Sequence, residues 1–315
     1  MKAAQIVEYG PASKIQINEI EIPRPSEGQV LVEVYGSSIN PADIKMRQGK
    51  MMPLQFPVTL GLDLAGVVTD LGKGVTTFNV GDKVYGQAKI GPGGGGAFAQ
   101  YAIAPAGNLA GMPKNLNFVQ AAAIALTGTS AVQALTEHIK LQPGQKILIH
   151  GGAGGIGTFA IQIAKHLGAY VATTVSPDDI DFVKKLGADQ VIDYKNQRFE
   201  DRLRDYDAVF DTVGGETYTR SFKVLKRSGV VVSMLMPPDA RLMQQYGVTA
   251  IGQFTKVSTE RLNTLTKLVE EGVVTVHIDK TFPQERIREA FEAKERGSVR
   301  GKIGVDMKSP SPTLR

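Results

Sequence analysis

Between a short apolar run, KILIH (146–150), and an amphipathic run, TFAIQIAK (158–165), the chain places five glycines within seven residues, GGAGGIG (151–157). Few local structures accommodate that arrangement. The apolar run fits a buried strand, and the 3.6-residue periodicity after the glycines fits a helix packed on one face. The joint between them is then a strand, a tight turn and a helix. Gly152, Gly154 and Gly157 have the spacing G-x-G-x-x-G. In such a unit the first glycine permits the turn, the second lets backbone approach a pyrophosphate, and the third lets helix and strand pack closely. With Ala153, Gly155 and Ile156 they form the expected phosphate cradle, whose free N–H groups face an anion at the helix start. A dinucleotide is the implied ligand.

The surrounding pattern extends this unit into a domain. From Phe118 to Leu135 the chain is alanine-rich and reads as helix. Strands are expected at 146–150, 170–174, 190–193, 208–211, 230–234 and 248–252, with helices at 156–167, 178–186 and 218–225 between them. Alternation of this kind implies a parallel, doubly wound sheet with its ligand at the strand ends. The first ~120 residues differ, being β-rich: runs such as QVLVEVYG (29–36) and AGVVTDLG (65–72) are punctuated by Pro23, Pro25, Gly28, Gly72, Gly74 and Gly81. The glycine-rich stretch 91–101 has no helix after it and reads as a surface loop. A helix from Thr259, another near 285–296 and a strand at 302–305 complete the chain, and the tail SPSPTLR has the composition of a disordered end. The 315 residues thus divide into an α/β Rossmann domain over 122–255 and a second domain over 1–121 with 256–315.

Composition narrows the possible classes. There is no run of ~18 apolar residues, so no membrane partner is expected. The start, MKAAQIVEYG, lacks the apolar core of a secretory signal. Zero cysteines exclude disulfides and thiolate metal sites and suit a cytoplasmic enzyme. The net charge is +5, but Lys and Arg are scattered with no run longer than two. That argues against nucleic acid and suits mild attraction of an anionic cofactor. The segment RFEDRLR (198–204) interleaves acids and bases and reads as a solvated helix face. The four histidines, 138, 150, 166 and 277, have no metal-ligand spacing and read as structural or surface residues.

The second strand decides between nicotinamide cofactors. NAD enzymes carry Asp or Glu at its end, ~20 residues past the glycines, to bind the ribose 2′-OH. Here that position is Thr174, with Ser176 close behind, and neither repels a 2′-phosphate. NADPH is therefore expected. Asp178 and Asp179 follow closely, but Ser-Pro-Asp-Asp (176–179) is also an ordinary helix start.

Several motifs in order resemble the medium-chain dehydrogenase/reductase superfamily, and within it the zinc-free, zeta-crystallin-like quinone oxidoreductases. They are SINPADIKMRQG (38–49), GLDLAGVV (61–68), VGDKVYG (80–86), LTGTSAVQAL (126–135), the glycine loop and RGKIGV (300–305). The resemblance covers nearly the whole chain and implies a GroES-like β-rich catalytic domain beside the Rossmann domain, in a homodimer. Zinc-dependent relatives carry a catalytic Cys where this chain has Asn40, and Gly-His-Glu where it has Gly61-Leu62-Asp63. Without a Lewis acid, alcohol oxidation is disfavoured, which leaves hydride delivery to quinones or α,β-unsaturated carbonyls.

The resemblance also implies particular roles. Lys45 stands where quinone reductases often have Tyr, and DIKMRQGK is similar to the enone and alkenal reductase branch, in which a lysine here contacts the nicotinamide region and substrate. Asn40 belongs at the substrate end of the cleft, although turn chemistry before Pro41 explains it equally. Thr127, Tyr194, Val213, Ser233, Met234, Met236, Arg300 and Lys302 resemble cofactor-contacting positions, Tyr194 near the 2′-phosphate and the last two near the nicotinamide half. Met51 and Met52 line an apolar acceptor pocket or are plain loop residues. Two other functions stay open: a cofactor-binding protein with little catalysis, structural or RNA-associated as in some zeta-crystallin relatives, and an enoyl-thioester reductase.

Overall fold

The computed structural model describes residues 1–91 and 95–308. The loop expected at 91–101 falls partly, and the tail SPSPTLR wholly, outside the described residues. The chain forms two compact units. One comprises Met1–Leu126, Val257–Glu270 and the residues from Val276 on; the other comprises Thr127–Lys256 and Glu271–Thr275. The first division falls inside the continuous helix Phe118–Val132, which offers no turn signal at 121 or 126. The helix runs on through a π-helical stretch, Gln133–His138.

The first unit is built on strands. In chain order they are β1 (Lys2–Ile6), β2 (Gln16–Glu19), β3 (Gln29–Ile39), β4 (Val58–Thr59), β5 (Asp63–Leu71), β6 (Lys83–Gln87), β7 (Tyr101–Pro105) and β8 (Leu109–Gly111). A short sheet has the order β2-β1-β4. β3 is the longest strand and is buried along nearly its whole length. That follows from its run of Val and Leu, and from its pairing with β5, β7 and the last strand of the chain. The helix α1 (Pro41–Arg47) leaves the end of β3 directly, with Pro41 in its first turn.

The second unit holds six strands: β9 (Lys146–His150), β10 (Tyr170–Val175), β11 (Gln190–Asp193), β12 (Tyr206–Asp211), β13 (Leu225–Ser233) and β14 (Thr249–Gly252). Their order is β11-β10-β9-β12-β13-β14, every pair is parallel, and the order reverses between β9 and β12. The expected doubly wound sheet is present, with its switch point after β9. Gly155–His166 forms the helix after the glycines. Sequence reading gave no helix between 234 and 248, yet Ala240–Tyr246 is helical. Its signals were there: Asp239 caps it by accepting from Leu242 N at 3.0 Å, and Gly247 ends it in the left-handed region. Two turns are too short for a clear period. β15 (Ile278–Pro283) and β16 (Lys302–Asp306) then join the large sheet of the first unit beside β3.

The helix Phe118–His138 holds no unbroken run of ~18 apolar residues, yet by length and mean hydropathy it could cross a bilayer; 78% of its apolar stretch is buried inside the protein. Its alanines pack in the core. One expectation needs correction: residues 198–204 are not a solvated helix face. Phe199–Asp201 is a single 3₁₀ turn, Phe199 and Leu203 are core residues, and the nearly buried Glu200 accepts from Arg198 and Arg220.

Candidate functional site

In the second unit the glycine loop leaves β9 at the switch point. Gly152 N donates to Thr174 O at 3.2 Å and Gly154 N to Gly151 O at 3.0 Å, which ties the turn to β10 and to itself. The three motif glycines differ in what a side chain would meet there. A Cβ on Gly152 would lie 2.1 Å from Thr173 Oγ1, and one on Gly157 would lie 2.2 Å from Gly151 O. Those two sites are closed by packing. At Gly154 the nearest atom would be Gly151 O at 3.3 Å, with nothing else within 4 Å. Gly154 is also the N-cap of the twelve-residue helix Gly155–His166, whose first-turn N–H groups have no intrahelical acceptor. Open space above a helix N-terminus fits a pyrophosphate.

The buried His150 lies beneath the loop. Its Nδ1 is 3.0 Å from Thr174 Oγ1 and its Nε2 is 3.0 Å from Ser221 Oγ. Burial pushes the imidazole down to about 4. Thr174 Oγ1 also accepts from Gly151 N at 3.3 Å. The Thr174 hydroxyl, expected beside a 2′-phosphate, is therefore turned inward and holds the loop, drawn there by His150 and the Gly151 N–H. Ser176 Oγ donates to Asp179 Oδ2 at 2.6 Å, and Pro177–Asp179 is the 3₁₀ start of the helix Ile180–Lys185. Tyr194 is 58% exposed, at the adjoining strand end, where its N–H donates to Val175 O. Next to it stands the exposed Lys195, a cation at the strand end that sequence reading passed over.

Asp211 is another residue that sequence reading left without a role. Fully buried at the end of β12, it accepts from Val213 N and Gly214 N at 3.0 and 2.9 Å and from Ser233 Oγ at 2.7 Å. Ser233 in turn accepts from Leu235 N and Met236 N. One carboxyl group thus shapes the loops after β12 and β13, leaving Val213 exposed and Met234 and Met236 half-buried. Thr127 is buried, on the helix Phe118–Val132.

The first unit has its own polar centre, at the joined ends of β3, β5 and β16. The register sets Ser38 opposite Asp63 and Ile39 opposite Ile303 in an antiparallel pair, so Lys302, one residue before Ile303, stands at the level of Asn40. All four polar side chains are buried. Asp63 Oδ2 accepts from Ser38 Oγ at 2.5 Å, Asn40 Nδ2 at 2.7 Å and Lys302 Nζ at 3.2 Å; Oδ1 accepts from Leu126 N at 3.1 Å. Lys302 Nζ also donates to Asn40 Oδ1 at 2.5 Å. Lys302 is thus held by Asn40 and Asp63. Arg300, two residues earlier, is half-buried.

Helix α1 is fixed by its inward residues and presents another outward. Buried Arg47 donates to Gly10 O at 2.9 Å and to Glu295 Oε1 at 2.5 Å. Lys45 is exposed, as are Met51 and Met52. Asp43 Oδ2 accepts from Asn40 N at 2.8 Å, while its buried Oδ1 has no hydrogen-bond partner. Burial pushes the Asp43 carboxyl up to about 7 from an ordinary 3.8. The unfolded chain therefore ionises at lower pH than the folded one, and Asp43 weakens the fold progressively as pH rises from ~4 to ~7. Asp43→Asn keeps an acceptor for Asn40 N–H without the charge. It is expected to raise the melting temperature at pH 8 and to leave it nearly unchanged at pH 4. Equal shifts at both pH values in thermal denaturation would contradict the assignment.

Among the described residues no group of three His, Cys, Asp or Glu side chains is placed to hold a metal. What the two units define is a nucleotide-binding α/β sheet joined to a β-rich domain with a buried polar centre, the build of a nicotinamide-dependent oxidoreductase. Residues 26–114 match the alcohol dehydrogenase GroES-like domain family, and residues 186–305 match the zinc-binding dehydrogenase family. The chain is 35% identical over 319 residues to a chloroplastic NADPH-dependent alkenal/one oxidoreductase of Arabidopsis thaliana, covering 97% of this chain and 79% of that one. It superposes on a quinone oxidoreductase from Coxiella burnetii with a TM-score of 0.90 at 34% identity, covering 98% and 99% of the two chains. The Escherichia coli quinone oxidoreductase, solved in complex with NADPH, gives a TM-score of 0.89 at 28% identity, covering 98% and 100%. The chain belongs to the medium-chain dehydrogenase/reductase superfamily, among its quinone oxidoreductases and enone reductases.

Proposed function

We infer that the protein is an NADPH-dependent reductase of quinones or α,β-unsaturated carbonyls that works without zinc. The observation that carries this reading is the open cradle at Gly154, in a chain whose relatives are named for that chemistry. The N–H groups of Ala153, Gly155, Ile156 and Gly157 hold the pyrophosphate, while those of Gly152 and Gly154 tie the turn beneath it. Tyr194 and Ser176 serve the adenosine end, with Thr174 acting through its hold on Gly151. Thr127, Val213, Ser233, Met234, Met236 and Arg300 shape the remainder of the cofactor site. Bound NADPH supplies the hydride. Lys45 faces the negative charge that develops on the acceptor oxygen, and Asn40 offers that oxygen a hydrogen bond.

The zinc-free part rests on donor chemistry. Asn40 stands where zinc relatives have Cys, and Asp63 already accepts four hydrogen bonds. Enone reduction by the purified protein is expected to persist in EDTA. Loss of activity that zinc restores would overturn this. An enoyl-thioester reductase is the alternative, and crotonyl thioesters outpacing simple enones would favour it. A cytoplasmic homodimer without membrane or nucleic-acid partners completes the proposal; the scattered charge and the lack of cysteine support the compartment and partners, and the family resemblance supports the dimer.

A further inference from the structure

The Lys302–Asp63 ion pair is buried, with side-chain exposures of 3% and 0%. Buried pairs are costly to assemble, and apolar residues of similar volume commonly serve packing as well or better. This pair does something apolar residues cannot do, because both of its members act on one amide. Lys302 Nζ lies 2.5 Å from Asn40 Oδ1, and Asp63 Oδ2 lies 2.7 Å from Asn40 Nδ2. A cation selects the oxygen of an amide and a carboxylate selects its nitrogen, so the pair admits only one of the two flipped orientations. Asp63 is itself held by Ser38 Oγ and Leu126 N, and the backbone N–H of Asn40 is held by Asp43. Neither end of the Asn40 side chain is free to turn.

We propose that Lys302 and Asp63 are positioning residues, whose ion pair fixes the Asn40 amide in the one orientation that gives the acceptor oxygen a hydrogen-bond donor. This rests on the reading of Asn40 given above. One N–H of Asn40 Nδ2 is engaged by Asp63, and in this role the acceptor would take the other. If the pair is lost, the amide samples both orientations, and the flipped form presents its oxygen to the acceptor oxygen. Lone pair then meets lone pair, and hydride transfer is slowed at the step in which charge develops. Lys302 accordingly acts through Asn40 and not through the cofactor.

The test uses the double variant Lys302→Met/Asp63→Leu, which removes both charges together and leaves neither buried alone. Each single change would strand a charge and could fail to fold. The double variant leaves Ser38 Oγ and Leu126 N without their carboxylate acceptor, so it is expected to melt below wild type yet stay folded at the assay temperature, and to bind NADPH normally in a fluorescence titration. Its kcat for enone reduction is expected to fall by about 10²-fold, the scale of one lost transition-state donor, with KM nearly unchanged. A double variant that keeps wild-type kcat overturns the proposal, since the pair would then serve packing alone. One that loses NADPH binding in step with kcat also overturns it, by placing Lys302 at the cofactor. Asn40→Ala, measured in parallel, separates the two levels. If it retains kcat, the role given to Asn40 fails, and positioning fails with it. If Asn40→Ala is slow while the double variant is not, only the positioning role is lost. Asp63→Glu alone, which keeps both charges of the pair, is expected to retain more kcat than the double variant.

Discussion

Gly154→Val is expected to abolish NADPH binding while the protein keeps its fold. Gly154 has φ −79° and ψ 174°, an extended conformation that valine adopts readily. The nearest atom to its added Cβ would be Gly151 O at 3.3 Å, with no other within 4 Å, so the turn has to give by only a few tenths of an ångström. The methyl groups would occupy the space that a pyrophosphate needs above the helix start, and with it the N–H contacts. Gly157→Ala is the contrasting case, because its Cβ would sit 2.2 Å from Gly151 O and the helix would have to move off the strand. That variant is expected to lose stability first. Fluorescence titration with NADPH beside thermal melting distinguishes them. Wild-type affinity in Gly154→Val would mean that the loop is a structural turn and nothing more.

Lys45→Met is expected to lower enone reduction by about 10²–10³-fold, the usual consequence of removing one donor to a developing oxyanion. Arg47 and Asp43, which anchor helix α1, face inward, and Lys45 faces outward, so the substitution should leave the fold alone. Methionine keeps an apolar stem of similar length. Quinones accept electrons more readily than enones, so quinone reduction should fall less. NADPH affinity should hold, because charge on the acceptor oxygen develops only in the transition state. If enone and quinone rates both stay within about twofold of wild type, an effect too small for a transition-state contact, Lys45 is a surface residue and the enone reading loses its chemical support.

The six strands of the second unit and their alternation with helices were legible because glycine turns and apolar runs mark each joint. The strand, turn and helix around the glycine loop were legible for the same reason. Which hydroxyl faces outward was not. Thr174 was found at the right strand end, but side-chain direction depends on the register of β10 with β9 and on His150 beneath it. The polar centre of the first unit was also hidden. Ser38, Asn40, Asp63 and Lys302 are separated by up to 264 positions; Asn40 and Lys302 are pointed out by the family resemblance alone, and nothing in the spacing links either to Ser38 or Asp63. Only the registers of β3 with β5 and β16 bring them to one point. The helix Phe118–His138 was legible from its alanines, whose small side chains let it be buried nearly all round from 121 to 135.

The most direct measurement is NADPH consumption by the purified protein in EDTA, followed at 340 nm against a quinone, a simple enone and a buffer blank. The expected result is acceptor-dependent loss of NADPH with both acceptors, slower with NADH in place of NADPH. NADPH that binds but is not consumed above the blank with either acceptor would contradict the assignment and leave a nucleotide-binding protein with little catalysis.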